Sequence, residues 1–402
     1  MLNIPELISR INGKKALGIL VKKPSNIYYI TNFSGEGYVY FSVSGDKILY
    51  VDARYSERAA KECFPSVEIV KIKEIFKDIS LDIFKRINLS SGNLSVSAGN
   101  SAGGADAGKP QKSEGRRRPE GRRRPAILFE SDYITYGEYE SFDKEAAKES
   151  KSGFAFVSSG DTLSKIRSIK DKNELDFILG AVSVSEKSML DALKKIVYNR
   201  AKCVSEKKTA SIYKKNLLDA YSGESFETIV LSGKNSSIPH GLPSDKKISK
   251  KDVLLCDFGA EINGYKSDET FTVHLGKPDK MFLDVYDTVY SAQQKAISKI
   301  KPGIKFSRLD EIARDYIEKR GYGKYFTHSL GHGVGLEIHE YPYVSKKNDD
   351  TVKEGMVFTV EPGVYLEGEF GVRIEDMCYV EKEGARIITN IKKDKCDIDR
   401  LL

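Results

Sequence analysis

The 402-residue chain predicts two domains, an α/β unit over residues 1–160 and a second unit over residues 161–402 in which a long helix precedes a series of strands. Three observations carry this expectation. The length exceeds what a single hydrophobic core ordinarily serves. Short apolar segments alternate with helix-like ones between Ala16 and Ile72, as in an α/β domain. All five histidines, His240, His274, His328, His332 and His339, crowd into the second half among glycine-rich and strand-like segments.

In chain order, ALGILV, NIYYITNF, GYVYFSV and KILYVDARY are apolar segments, SERAAKECF is helical, and VEIVKI is a further strand. Lys73–Ile87 repeats apolar residues at helical spacing, as a helix packed on a sheet does. Residues 88–125 then turn to Gly, Ser, Ala and Arg and end in a tandem GRRRPE/GRRRPA hexapeptide. Such a tract buries too little to offset an ordering entropy of about 1 to 2 kcal/mol per residue, so it is expected to be a disordered insertion. The α/β pattern resumes with ILFE, a helix around Tyr136–Phe142 and a strand near Phe154, which places the insertion inside the first domain. The second domain starts near Leu163, where SKIRSIKDKNELDFILGAVSVSEKSMLDAL gives a long amphipathic helix after a basic run.

Composition narrows the function classes. The net charge of +7 is concentrated in the insertion: residues 88–125 hold two lysines and six arginines against three acidic residues, which leaves a surplus of only two for the other 364 residues. Nucleic acid is therefore not an expected partner of the folded surface. No apolar run approaches the roughly 18 residues of a membrane span. The opening MLNIPELISRINGKK lacks a secretory pattern, so the cytoplasm is the expected compartment. Cys63, Cys203, Cys256, Cys378 and Cys396 form no CxxC pair and are expected as reduced thiols.

The chemistry lies in the second half. VLLCDFGAEINGYKSDETFTVHLG holds Asn263-Gly264 between two strand-like runs, a hairpin signal. If these are the two central turn residues, Asp257 faces Thr270. Asp268, two residues from Thr270, then shares its face. The two carboxylates become diagonal neighbours with backbones about 7 to 8 Å apart, a span suited to metal ions about 3.5 to 4 Å apart. In HSLGHGVGLEIHE, glycines 331, 333 and 335 allow backbone to approach His332, the best imidazole ligand, while His339 is placed to hydrogen-bond a reacting carbonyl. His240 sits in a Ser, Pro and Gly-rich loop that can present it to substrate, His328 is expected to shape the site from behind, and His274 to lie at the surface. VFTVEPGVYL and GVRIEDMCYV read as two strands joined by EGEFG, carrying Glu361 and Glu375, with Arg373 expected to orient Glu375. Asp257, Asp268, His332, Glu361 and Glu375 together make an oxygen-rich donor set with one imidazole, suited to a pair of Mn, Co, Fe or Zn ions.

The motifs DFG, SDET, GHGVGLEIHE, TVEPG and RIED together resemble the pita-bread metallopeptidases, in their aminopeptidase P and prolidase branch. NIYYITNFSGE and VDARYSERAA are similar to the creatinase-type N-terminal domain of that branch. The resemblance implies a creatinase-like α/β N-terminal domain plus an α+β pita-bread catalytic domain. It implies the five residues above as ligands of two divalent metal ions, with Mn the first choice, Asp268 and Glu375 shared between the ions, and His240 and His339 touching substrate. Glu361 would move a proton to the leaving nitrogen. The activity implied is that of an Xaa-Pro aminopeptidase acting on peptides with proline at the second position, in a homodimer or larger homo-oligomer. An Xaa-Pro dipeptidase is the alternative within the class. A non-catalytic scaffold that binds nucleic acid through the arginine tract is a distant second alternative, since an intact ligand set has no role there. Two departures from the family pattern stand out, Phe271 in place of the arginine that often follows the SDxT threonine, and the insertion itself.

Overall fold

The computed structural model describes residues 4–91, 125–149, 154–197 and 204–398. Residues 92–124 of the arginine-rich tract, and Cys203, lie outside the described residues. The chain divides into two units, one ending at Leu163 and the other comprising Ser164–Leu402.

The first unit contains α1 (Ile4–Gly13), β1 (Ala16–Val21), α2 (Pro24–Thr31), β2 (Tyr38–Ser42), β3 (Lys47–Val51), α3 (Ser56–Glu62), β4 (Val67–Lys71), α4 (Ile75–Ser91), β5 (Ala126–Phe129), α5 (Tyr136–Glu149) and β6 (Ala155–Ser158). Its six strands form one mixed sheet in the order β4-β3-β2-β1-β5-β6. Strand β1 is antiparallel to β2 and parallel to β5. Ile79, Ile83 and Ile87 of α4, at the expected spacing, pack with Phe142 of α5 over Tyr40 and Ile127 of the sheet. Two sequence expectations change here. NIYYITNF is the body of helix α2 rather than an extended segment, because Pro24 starts the helix and Asn32, at φ 67°, closes it in the left-handed region. Helix α4 continues through Asn88–Ser91, into what the composition assigned to the insertion.

Helix α6 (Thr162–Arg167) contains the division between Leu163 and Ser164, and α7 (Lys172–Val197) and α8 (Glu206–Asp219) follow in the second unit. Helix α7 is the long amphipathic helix expected after the basic run, and the short α6 precedes it. Asp171 Oδ1 accepts from the Glu174 backbone N–H at 3.0 Å while Glu174 Oε2 accepts from that of Asp171 at 2.9 Å, a reciprocal capping box that starts α7 afresh. Next come β7 (Gly223–Glu224), β8 (Ile229–Ser232), β9 (Val253–Phe258), β10 (Ala260–Ile262), β11 (Tyr265–Lys266) and β12 (Glu269–His274). The chain continues through α9 (Lys280–Ile297) and α10 (Phe306–Lys319) to β13 (Gly331–Gly333), β14 (Glu340–Val344), β15 (Val357–Val360), β16 (Gly363–Leu366), β17 (Phe370–Arg373), β18 (Asp376–Glu381) and β19 (Gly384–Ile387).

Asn263 at φ 49° and Gly264 at φ 79° form the turn that a two-residue hairpin requires, pairing Ile262 with Tyr265. The register carries through to Thr270 opposite Asp257. The ladder is interrupted between its two halves: a side chain at Gly259 would overlap the Ser267 carbonyl, and Ser267-Asp268 belongs to neither strand. Strands β12-β9-β8 and β11-β10-β7 are consequently separate sheets. The two strands expected at the C-terminal end are likewise each broken. β15 pairs with β18 in a five-stranded sheet while β16 pairs with β17 apart from it, so Glu361 and Glu375 lie at the two breaks. Helices α9 and α10 supply Val285, Val289, Leu309 and Ala313 to a core that also takes in Phe358 and Val360 beside those breaks. Asp268, Glu361 and Glu375 therefore project from strand interruptions anchored by a packed core, whereas Asp257 lies within β9 and His332 within β13. No helix among the described residues is long and apolar enough to cross a membrane.

Candidate metal centre

A cleft of about 310 Å³ is lined by Asp257, Asp268, His332, Glu361 and Glu375, together with His240, His328, His339 and Arg373. One oxygen each of Asp268 and Glu375 and one nitrogen of His332 lie within 4.8 Å of one another. His332 is oriented through Nδ1, which lies 3.1 Å from the Gly333 carbonyl. A carbonyl only accepts, so Nδ1 carries hydrogen, and Nε2 faces Glu361 Oε1 at 3.2 Å and Asp268 Oδ2 at 3.5 Å. Gly331 and Gly333 permit this: a Cβ on the first would overlap the Thr359 carbonyl, and on the second the Tyr341 carbonyl.

The charge balance of the cleft calls for cations. Burial, then the charges of Glu375, Asp257 and Glu361, push the Asp268 carboxyl well above its ordinary range. Burial, Glu361 and Asp257 do the same to Glu375. Glu361 is the exception. Burial works against its charge, but the hydrogen bond and charge of His332 outweigh it and hold the carboxyl down to about 2. Asp257 Oδ2 accepts from Arg373 Nη2 at 2.5 Å, whereas its Oδ1 is buried with no hydrogen-bond partner among the described residues. Four converging carboxylates, one orphaned carboxylate oxygen and one oriented imidazole are the donor set of a site for divalent cations.

The role expected for Arg373 is corrected. Its guanidinium binds Asp257 rather than Glu375, because reciprocal bonds between the Arg373 backbone and Thr272 Oγ1 (3.1 and 2.9 Å) lay β17 against β12, aiming the side chain toward β9. Glu375 is oriented instead by Thr270, whose hydroxyl donates to Oε2 at 2.7 Å. Three further residues shape the site, Thr270, Thr359 and Tyr365. Thr270 was legible as the partner of Asp257 across the ladder. Thr359, which accepts from the His332 N–H at 3.0 Å and donates to Glu361 Oε1 at 3.2 Å, lies two residues before Glu361 and shares its face. Tyr365, whose hydroxyl accepts from Arg373 Nη1 at 2.9 Å and meets His328 Nε2 at 3.0 Å, had no sequence signal.

His240 is exposed on the turn following the 3₁₀ segment Gly233–Ser237, and reaches the rim of the cleft. His339, also exposed, stacks edge-on to His332 with ring centroids 4.3 Å apart. Partial burial and then the neighbouring His332 lower its pKa, keeping the ring neutral at neutral pH. His328 lines the cleft with its Nε2 against the Tyr365 hydroxyl, and burial lowers its pKa too. His274 lies apart, accepting from the Gly276 N–H through Nδ1. The four cysteines among the described residues are free. Burial pushes the Cys256 and Cys378 thiols up, which makes them inert core residues.

The segment bearing His339 is tied down at Glu340, which pairs with the buried Arg167 and with Lys170 Nζ at 2.6 Å. Burial works against the Glu340 charge, but Lys170 and then Arg167 outweigh it and hold the carboxyl below its ordinary value of 4.5. A group depressed in the folded state contributes stability above its unfolded pKa and loses it as pH falls through the folded value. Glu340→Gln is expected to cost about 3 kcal/mol at neutral pH, since it strips two buried cations of their carboxylate. Urea titrations of both proteins should show that difference narrowing as the pH drops below 4.5. A pH-independent difference would contradict the assignment.

The description "Metallopeptidase family M24" matches residues 178–382, and "Creatinase/Prolidase N-terminal domain" matches residues 4–102. The chain is 33% identical to the Xaa-Pro dipeptidase of Pyrococcus furiosus over 94% of each protein. Among solved structures, the Xaa-Pro dipeptidase from Bacillus anthracis superposes with a TM-score of 0.81 at 30% identity, covering 98% of this chain and 100% of that one. The X-Pro aminopeptidase from Thermotoga maritima gives a TM-score of 0.77 at 28% identity, over 99% and 100%. Between the two substrate readings drawn from the motifs, these relatives lean toward the dipeptidase.

Proposed function

Because the chain belongs to metallopeptidase family M24 and carries a creatinase/prolidase N-terminal domain, we propose that it hydrolyses the bond between an N-terminal residue and proline, with Xaa-Pro dipeptides as its substrates. The observation that carries the reaction class is the convergence of Asp257, Asp268, His332, Glu361 and Glu375 on one cleft. The preference for dipeptides over longer peptides is supported by the names of the relatives. An Xaa-Pro aminopeptidase is the second reading, favoured by the likeness to the Thermotoga maritima protein.

In this reading the five residues hold two divalent ions, manganese by preference. When bound, such ions supply Lewis acidity and an activated water. The remaining steps belong to side chains. Arg373 and Thr270 hold Asp257 and Glu375 in fixed rotamers. Glu361, steadied by Thr359, accepts a proton from the attacking water at Oε and passes it to the departing proline nitrogen. That nitrogen carries no hydrogen in the intact bond and its ring fixes φ, so it needs a proton delivered along a defined line. His339, a neutral donor, and His240, both lining the cleft, hydrogen-bond the oxygen on which charge develops. Phe226, Ile229 and Ile338 give the cleft apolar walls for the pyrrolidine ring. A homodimer or larger assembly is part of the same proposal.

The test is a parallel assay of manganese-loaded protein on Xaa-Pro dipeptides and on tripeptides with proline second. Hydrolysis of dipeptides with tripeptides spared is the expected outcome. The reverse selectivity would replace this reading with the aminopeptidase, and cleavage of neither would end both.

A further inference from the structure

Behind the cleft lies a second set of buried polar groups that takes no part in the chemistry above. Glu269 follows Asp268 in the chain and Asp376 follows Glu375, so each presents its side chain away from the ligand beside it. Lys393, 5% exposed, joins the two: Nζ donates to Glu269 Oε1 at 2.5 Å and to Asp376 Oδ1 at 2.6 Å. Asp376 Oδ1 also accepts from the Thr389 hydroxyl at 2.6 Å. Gln293 of α9, fully buried, donates from Nε2 to Asp376 Oδ2 at 2.9 Å and to the carbonyls of Val360 and Ile374 at 3.1 and 3.3 Å. Val360 and Ile374 are the residues immediately before Glu361 and Glu375. Two side chains thus tie together, from the rear, the backbones that carry Asp268, Glu361 and Glu375.

Buried ion clusters are a poor source of stability, because desolvation consumes much of the attraction. This one also leaves Glu269 Oε2 buried without a hydrogen bond among the described residues. Its arrangement is better explained by what it fixes. Three of the five ligand-type residues sit at strand breaks, where no ladder holds their spacing, and the cluster spans those breaks.

We infer that Lys393 and Gln293 are positioning residues for the metal centre, setting the separation of Asp268, Glu361 and Glu375 through the groups adjoining them in the chain. This rests on the metal-centre reading of the cleft. Groups that orient metal ligands without touching the ion typically contribute 10- to 100-fold in affinity.

The experiment is calorimetric titration of the metal-free full-length protein with manganese(II) chloride, for wild type, Lys393→Met and Thr389→Val, alongside the melting temperature of each metal-free form. Lys393→Met is expected to bind manganese about 10- to 100-fold more weakly, and Thr389→Val, which removes one hydroxyl and no charge, about two- to fivefold more weakly. A purely structural cluster would lower the melting temperatures and leave affinity and stoichiometry at wild-type values, which would overturn the inference. If Lys393→Met does not fold, Thr389→Val decides the matter on the same criterion. Failure of the wild type to bind manganese would instead overturn the metal-centre reading itself.

Discussion

Asp268→Ala is expected to eliminate hydrolysis, with kcat falling by on the order of a thousandfold or more, equivalent to about 4 kcal/mol of activation free energy. The carboxylate stands within 4.8 Å of both Glu375 and His332 donor atoms, the tightest triple in the cleft. No neighbour is placed to substitute for it, since Asp257 is engaged by Arg373 and Glu361 by His332 and Thr359. Metal analysis should accordingly find fewer than two ions per chain. The same substitution removes one of four mutually repelling carboxylates, so the metal-free variant should unfold at a temperature no lower than metal-free wild type. A residue placed for function at the expense of stability has that signature. A variant that keeps wild-type turnover would remove Asp268 from the machinery.

His339→Ala should produce the second largest loss, about 100- to 1,000-fold in kcat, as when one donor to a developing oxyanion is removed. The ring lies edge-on to His332 yet is exposed and makes no bond to the carboxylates, so manganese content should be unchanged. KM should move much less than kcat, because the hydrogen bond strengthens as charge develops. Equal loss of metal and activity would mean that His339 supports His332 rather than the substrate.

Much of this arrangement is legible in the sequence where the determinants are local. The Asn263-Gly264 turn sets the register that places Asp257 opposite Thr270, and the pairing agrees residue for residue. What cannot be read there is where a ladder stops. The interruptions at Gly259 and around Glu361 and Glu375 depend on contacts with other segments, such as the Ser267 carbonyl that a side chain at Gly259 would strike. Strand alternation points Arg373 at Glu375, two positions away, whereas docking of β17 on Thr272 turns it to Asp257. NIYYITNF is apolar enough for either a strand or a helix, and Pro24 and Asn32 tip it to helix. Lys393 looks like any other lysine of IKKDK. Its burial depends on carboxylates 124 and 17 residues distant, beyond the reach of periodicity or local pattern.

The cleft of Asp257, Asp268, His332, Glu361 and Glu375 is expected to hydrolyse Xaa-Pro bonds with two metal ions. The most direct test titrates metal-free protein with manganese while following hydrolysis of an Xaa-Pro dipeptide. Activity absent at the start, rising with added manganese and levelling at two equivalents per chain, is the expected result. Hydrolysis already complete in the metal-free protein, or none at any manganese concentration, would contradict it.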